Sequence, residues 1–396
     1  MKQKQDNNRK EVSAAQIALK KAFDKLLDAP AYTDPIAAYK ANMEAIGVAQ
    51  EEAPATPEQW EQLYEVTKSI RLLEPWKYLH ESQRITLLLP GRDEPVYIVV
   101  MGSGEVTYGI GVYPGYESLR RLIKMSESKP DEADMSAAFE QHCINLYYGD
   151  REELELADKT VIKQLGLKFR GRNQWPYFRS MKPGFMPWYL NHDEAELTIA
   201  ALQNFCMAFV AYLKHDYEVD FKNGETFLRF YDAKDDLWYN AVIEMPEESF
   251  IQIKTVMADE FLIARLKKKA KNRAKLGFAI TYIPVPIQEN KNARPRIPRM
   301  AVLADMDSGR IIDQATDEEC ETITKAIIQM FTGYIENNGR PATIAVSDEE
   351  ARDYIEDFIT KLGIKLVEDE RMSAVGNLIL GMMGMMESGQ FDDFME

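Results

Sequence analysis

The sequence predicts an α+β protein: two mixed modules preceded by a helical N-terminal arm. Three observations carry that prediction. The chain has 396 residues, 45% hydrophobic and 28% charged, enough for two or three domains with cores that need no cross-links. Ahead of about residue 278, short apolar runs broken by turn residues lie between amphipathic helical stretches. Beyond it, strand and helix signals alternate, which suits a mixed sheet with helices on at least one face.

The arm and its linker cover 1–56. Residues 15–27 place Ala15, Leu19, Ala22, Phe23 and Leu26 on one helical face, and "TDPIAAYKANMEAIG" enters a second helix through Asp34 and Pro35. "AQEEAPATP" then reads as a linker. The first module spans 57–277, divisible into 57–159 and 160–277. Thr56, Pro57 and Gln59 have the spacing of a capped helix start, and Trp60, Leu63, Tyr64 and Thr67 follow at helical intervals. Strands are expected near 84–89, 96–101 and 105–113, with turns at Pro90-Gly91 and Gly102-Ser103-Gly104, before "YESLRRLIKM" resumes helical spacing. The aromatic, proline-rich "RNQWPYFRSMKPGFMPWYLNHDEAEL" reads as an irregular packed stretch with a turn at Pro183-Gly184. Asn191 and Glu194 have capping-box spacing and open an apolar helix over 193–213. Thr198, Gln203 and Asn204 interrupt it, so it reads as a buried helix and not a membrane span. "ETFLRFYDAKDDLWYNAVIEM" predicts a hairpin around Ala233–Asp236, and "DEFLIARLKKKAKNRAKLG" a helix stopped by Gly277.

The second module spans 278–386. "GFAITYIPVPI" and "RMAVLADMDSGRIIDQ" read as strands, the latter folded at Asp307-Ser308-Gly309. A helix over 317–337, the strand "ATIAVS", a helix over 348–361 and the strand "IKLV" complete it. The last helix gathers Ala351, Tyr354, Ile355, Phe358, Ile359 and Leu362 on one face, and Gly363 stops it. "VGNLILGMMGMM" reads as a core-packed end, followed by an acidic tail at 387–396.

The order hairpin, helix, strand, helix resembles that of ribonuclease-H-like folds. That resemblance implies a two-metal phosphodiesterase with Asp305 or Asp307 as first ligand and Asp348 as second. No third carboxylate follows on a helix, because "RMSAVGNLILGMMGMM" has none. Turn and capping chemistry accounts for every one of these acids: Asp307-Ser308-Gly309 as a turn, Ser347 with Glu350 as a capping box, Asp348 at the positive end of a helix dipole. We therefore expect no catalytic residue and keep Asp305, Asp307 and Asp348 as the alternative.

Other motifs are weaker. Gly109, Gly111 and Gly115 miss the dinucleotide-loop spacing, and no Gly-Lys-Ser/Thr ends a P-loop. His80, His142, His192 and His215 show no metal spacing, so neither metal nor cofactor is expected. Cys143, Cys206 and Cys320 are odd in number and scattered, which predicts a reducing, cytoplasmic setting, and the N-terminus has no signal-peptide core.

Charge gives the strongest functional signal. The net charge is −16, yet Arg265 to Arg299 holds eleven Lys or Arg against Glu289 alone, a local +10 that leaves −26 elsewhere. The run Arg265, Lys267, Lys268, Lys269, Lys271, Arg273 and Lys275 could neutralise phosphates. It lacks interleaved aromatics, and cations also suit a helix C-terminus, so nucleic acid is a secondary expectation. A membrane partner is not expected.

"VYIVVMGSGEVTYGIGVYPG" and "QWPYFRSMKPGFMPWYLNHDEAE", followed by a Gly-Arg-Pro segment and "LGIKL", resemble an uncharacterised bacterial two-module family of unknown function. The resemblance covers roughly residues 57–380 and implies no activity. The expectation is a non-enzymatic interaction protein with an unknown protein partner. Its candidate surface comprises Phe178, Arg179 and Trp188 together with the Arg265–Lys275 run.

Overall fold

The computed structural model describes residues 53–127, 139–215, 217–245, 259–283, 286–288, 293–316, 323–346 and 349–369. The helical arm up to residue 52, Cys320, Asp348, the methionine-rich end and the acidic tail lie outside these residues.

The first module is a seven-stranded sheet in the order β5-β4-β3-β2-β1-β6-β7. Its strands are β1 (Arg84–Leu88), β2 (Val96–Met101), β3 (Tyr108–Pro114), β4 (Cys143–Gly149), β5 (Trp175–Met181), β6 (Glu225–Asp232) and β7 (Leu237–Glu244). Every neighbouring pair is antiparallel except β1 and β6. Two helices, α1 (Pro57–Leu73) and α4 (His192–Lys214), bury their apolar stripes on one face. Thr56 and Gln59 cap α1 reciprocally, at 3.2 and 2.8 Å. Asn191 and Glu194 do the same for α4, at 2.7 and 3.1 Å. Trp60, Tyr64, Phe178, Phe205 and Phe209 fill that core. By length and composition α4 could cross a membrane, but Ala195, Leu202, Phe205 and Phe209 are buried in this core. Helix α2 (Gly115–Glu127) covers part of the other face over Tyr97, Val99 and Tyr113, and α3 (Leu156–Gln164) lies between β4 and β5 in sequence.

One stretch of this module differs from expectation. "WPYFRSM" forms β5 and is not irregular. It lies at the sheet edge, where Pro176 removes no ladder hydrogen bond that the sheet needs. Gly109, which misses the dinucleotide-loop spacing, packs inside β3: a Cβ there would meet the Leu146 carbonyl oxygen at 2.3 Å. Gly115 sits at the junction where β3 passes directly into α2, the helix that the spacing of "YESLRRLIKM" predicts.

The second module is a five-stranded sheet in the order β10-β9-β8-β11-β12. Its strands are β8 (Lys275–Tyr282), β9 (Arg299–Asp305), β10 (Ile311–Thr316), β11 (Thr343–Val346) and β12 (Lys365–Glu368). β8, β9 and β10 form an antiparallel meander, and β11 and β12 run parallel to β8. Helices α5 (Glu260–Lys267), α6 (Ile323–Asn338) and α7 (Glu349–Lys361) share one core with this sheet. The basic helix expected to end at Gly277 stops at Lys267, and Gly277 lies inside β8. Past Leu266 the run offers only the small Ala270 and Ala274 at helical spacing before Leu276, so little apolar surface holds a longer helix to the core. The second module therefore begins with α5, ahead of the boundary that the sequence suggested.

The modules meet along the segment that carries Pro-flanked arginines. Phe185 bridges Arg296, Met186 N–H donates to the Pro295 carbonyl at 2.8 Å, and Ile297 N–H donates to that of Gly184 at 2.8 Å. Arg294 donates to the carbonyls of Met186 (2.9 Å) and Ser180 (2.5 Å) and to Ser180 Oγ (3.1 Å). Glu140 joins Tyr282 of the second module to Arg121 of the first.

Candidate interaction surface

The loop after α5 runs across the C-terminal ends of two helices. Asn272 Nδ2 donates to the Asn338 carbonyl at the end of α6 (2.9 Å), and Lys269 Nζ donates to that of Glu336 (3.1 Å). Lys271 Nζ reaches the Gly363 carbonyl beyond α7 (2.9 Å). Arg340 closes the arrangement through the carbonyls of Lys269 (3.0 Å) and Leu362 (2.8 Å). Terminal carbonyls lack intrahelical donors and carry the negative end of the dipole, so cations stabilise them. Arg265 adds an ion pair to Glu336 at 2.8 Å. Within the run, then, Arg265, Lys269 and Lys271 have structural partners. Lys267, Lys268, Arg273 and Lys275 are exposed. The later arginines are not free for a ligand: Arg294 and Arg296 build the junction, and buried Arg299 bonds Tyr354.

The other surface candidates fare differently. Phe178 is 1% exposed and packs edge-on against Trp60 and Tyr64, so it is core and cannot contact a partner. Its position on the inward-facing register of β5, between outward-facing Tyr177 and Arg179, puts it there. Arg179 is buried in a fork to Asp158, at 2.9 and 2.7 Å, with Glu155 at 3.2 Å. Its guanidinium also lies over the rings of Tyr177 and Tyr189, at 5.1 and 5.2 Å. Burial opposes the charge, but the Asp158 pair and Glu155 more than offset it, and the pKa rises. Arg179 is thus committed to the fold. Trp188 is half-buried, lies tilted against Tyr189 and pairs its backbone with Ser180.

Of the candidate metal ligands, Asp305 and Asp307 lie among the described residues, at a turn. Asp305 Oδ1 accepts hydrogen bonds from Ser308 N–H and Oγ, both at 2.7 Å, and these hold its carboxyl below the usual range. Gly309, with φ +70°, closes the turn through its N–H to the Asp305 carbonyl at 2.8 Å. Asp307 lies in that turn, exposed. Asp305 pairs with Leu276, which pairs with Ile344, whereas β11 continues to Val346 beside Phe278. The turn and the exit of β11 are therefore at different levels of the sheet. Asp348 lies outside the described residues.

Several reactive side chains are placed where chemistry is suppressed. Cys143 and Cys206 are buried, and burial pushes each thiol up to about 12. Ser118 Oγ lies 2.9 Å from His142 Nδ1, but Ser118 is fully buried and donates to the Pro114 carbonyl at 2.6 Å. One group escaped the sequence reading. His192, Asp193 and Glu196 bring one ligand atom each within 4.8 Å of one another. Their i, i+1, i+4 spacing on the first turn of α4 was the available signal. The positive end of the helix dipole there works against a cation.

Residues 60–229 match the family model of a domain of unknown function, DUF7309, and residues 262–383 match that of another, DUF6930. Comparison with curated proteins gives no match. Among solved structures, a chain of the simian T-cell lymphotropic virus intasome in complex with PP2A regulatory subunit B56 gamma is similar at 21% identity, with a TM-score of 0.20. The match covers 33% of this chain and 45% of that one, and at this TM-score it carries no argument.

Proposed function

From a chain that carries these two domains of unknown function in tandem, we propose a non-enzymatic interaction protein. In this reading the second module presents a cationic edge to a polyanionic partner, an acidic protein surface or nucleic acid. The observation that carries it is the exposure of Lys267, Lys268, Arg273 and Lys275 on a segment fixed by its own hydrogen bonds. A pre-ordered loop loses little conformational freedom when a partner binds, which favours association. The rest of the chain is strongly acidic, so the edge is a local attractor and not part of a generally basic surface. Buried, unpaired Cys143 and Cys206 support an intracellular setting.

The phosphodiesterase reading has less support. Two-metal chemistry needs carboxylates converging on ions about 4 Å apart. Asp305 spends its side chain on the Ser308 turn, and central β8 carries no acid.

Pull-down at low salt tests the proposal, using the full chain and a variant with Lys267, Lys268, Arg273 and Lys275 changed to Glu. The wild type should recover a partner that the variant loses, and nuclease treatment assigns it to protein or nucleic acid. Equal recovery by both chains, or none by either, would refute the cationic edge.

A further inference from the structure

Each sheet has two edges, and three of the four are protected against pairing with another chain. At β5, Pro176 interrupts the edge, and Trp188 pairs with Ser180 while Arg294 caps the Ser180 carbonyl. At β10 a register shift lies between Ile311 and Asp313, and Asp313 and Gln314 are exposed. β12 has only four residues, with Lys365 and Glu368 at its ends. Bulges, prolines, charges and shortness are the usual means of blunting an edge.

β7 has neither bulge nor proline, is not short, and carries a charge only at its last residue, Glu244. Its sequence LWYNAVIE runs eight residues without Lys, Arg or Pro, and its pairing with β6 is unbroken from Glu244 to Leu237. Leu237 is 55% exposed and Tyr239 37%. Among the described residues no strand pairs with this outer edge, which there sets backbone groups beside exposed apolar side chains.

We propose that β7 pairs antiparallel with β7 of a second copy, joining two seven-stranded sheets across a two-fold axis at Asn240. A two-fold perpendicular to the sheet requires facing residues to share one face, so paired numbers must have the same parity. Centred on Asn240, Trp238 faces Val242 of the second copy, Tyr239 faces Ala241, and Leu237 faces Ile243. Aromatic and β-branched cross-strand pairs of this kind stabilise a sheet. Centring on Ala241 instead would set Trp238 against Glu244 and Asn240 against Val242, a poorer match. The strand is thus complementary to itself, and this argues for a second copy as occupant. Just outside the apolar block Asp236 faces Glu244, so the pair has acids at both ends.

Sedimentation equilibrium of the full chain tests this. At about 100 µM, where a micromolar dimer is largely formed, the wild type should be dimeric. Because the flanking acids repel, salt should tighten the dimer, the reverse of its effect on a polyanion complex. Tyr239→Lys with Ala241→Lys sets like charges opposite each other twice, and the dissociation constant should rise at least about tenfold. Tyr239→Lys with Ala241→Glu places opposite charges there and should restore pairing while leaving the edge equally polar. Circular dichroism establishes that each variant folds. A monomeric wild type, a dimer indifferent to the two lysines, or no recovery in the Lys/Glu variant would each overturn the proposal.

Discussion

Replacing Arg179 with Met separates a structural from a partner-binding role for the Phe-Arg-Ser motif. Arg179 and Asp158 have side chains 8% and 5% exposed, and they meet through two hydrogen bonds. Methionine keeps most of the side-chain volume and removes the fork. Asp158 then retains the Glu155 N–H at 2.9 Å but faces a buried space without its counter-charge. Breaking a buried pair from one side costs about 3–5 kcal/mol, mostly the penalty on the stranded partner. The two tyrosine contacts add about 0.5–2 kcal/mol each in general, but the same guanidinium makes both kinds of contact, so the terms do not sum. Because the pair lies at the sheet edge beside exposed Glu155, we expect a loss near the lower end, about 3 kcal/mol. Urea unfolding followed by tryptophan fluorescence and circular dichroism measures it. Adding Asp158→Leu removes the stranded carboxylate and should recover much of the loss. A loss below about 1 kcal/mol, the range of exposed pairs, would refute this reading and return Arg179 to the candidate surface.

Four further outcomes follow from the structure. Gly109→Ala drives a Cβ into the Leu146 carbonyl and should cost about 1–3 kcal/mol in the same unfolding assay; Gly333→Ala, inside α6 with open space around its Cβ, should gain up to about 1 kcal/mol. Burial, with Arg121 and Lys182 nearby, lowers the His142 pKa. The unfolded chain thus takes up the proton first, and this contribution to stability is full above about pH 6.5 and declines as pH falls through the lower folded value. His142→Gln should flatten that part of the stability–pH curve, and an unchanged slope would rule the histidine out. Finally, titration calorimetry with Mn²⁺ should give no saturable heat that Asp305→Asn abolishes, because Asp305 is engaged by Ser308.

Much of the fold was legible because its signals are local. Thr56, Pro57 and Gln59 announced α1, Asn191 and Glu194 announced α4, and the apolar face of α7 is buried residue for residue from Ala351 to Leu362. What was missed depends on distant partners. The basic run has helical spacing of charge, but past Leu266 its apolar stripe is only alanine, and its path is set by carbonyls at Asn338 and Gly363, more than sixty residues away. β5 was hidden because both its faces carry large side chains, one set meeting the core and the other stacking on Arg179. Arg294 contacts Ser180 across the module junction, and such a pairing leaves no periodic mark in the sequence. Phe178 looked like a surface anchor beside Arg179 because the alternation of β5 went unrecognised.

The most direct measurement is the salt concentration at which the full chain elutes from an immobilised polyanion such as heparin. Despite its net charge of −16, the wild type should be retained, and elution should come with rising salt. Changing Lys267, Lys268, Arg273 and Lys275 to Glu should abolish retention. The same charge change at exposed Lys163, Lys168, Lys222 and Lys234 should leave it nearly intact. Flow-through of the wild type, or equal loss in both variants, would contradict a localised cationic edge.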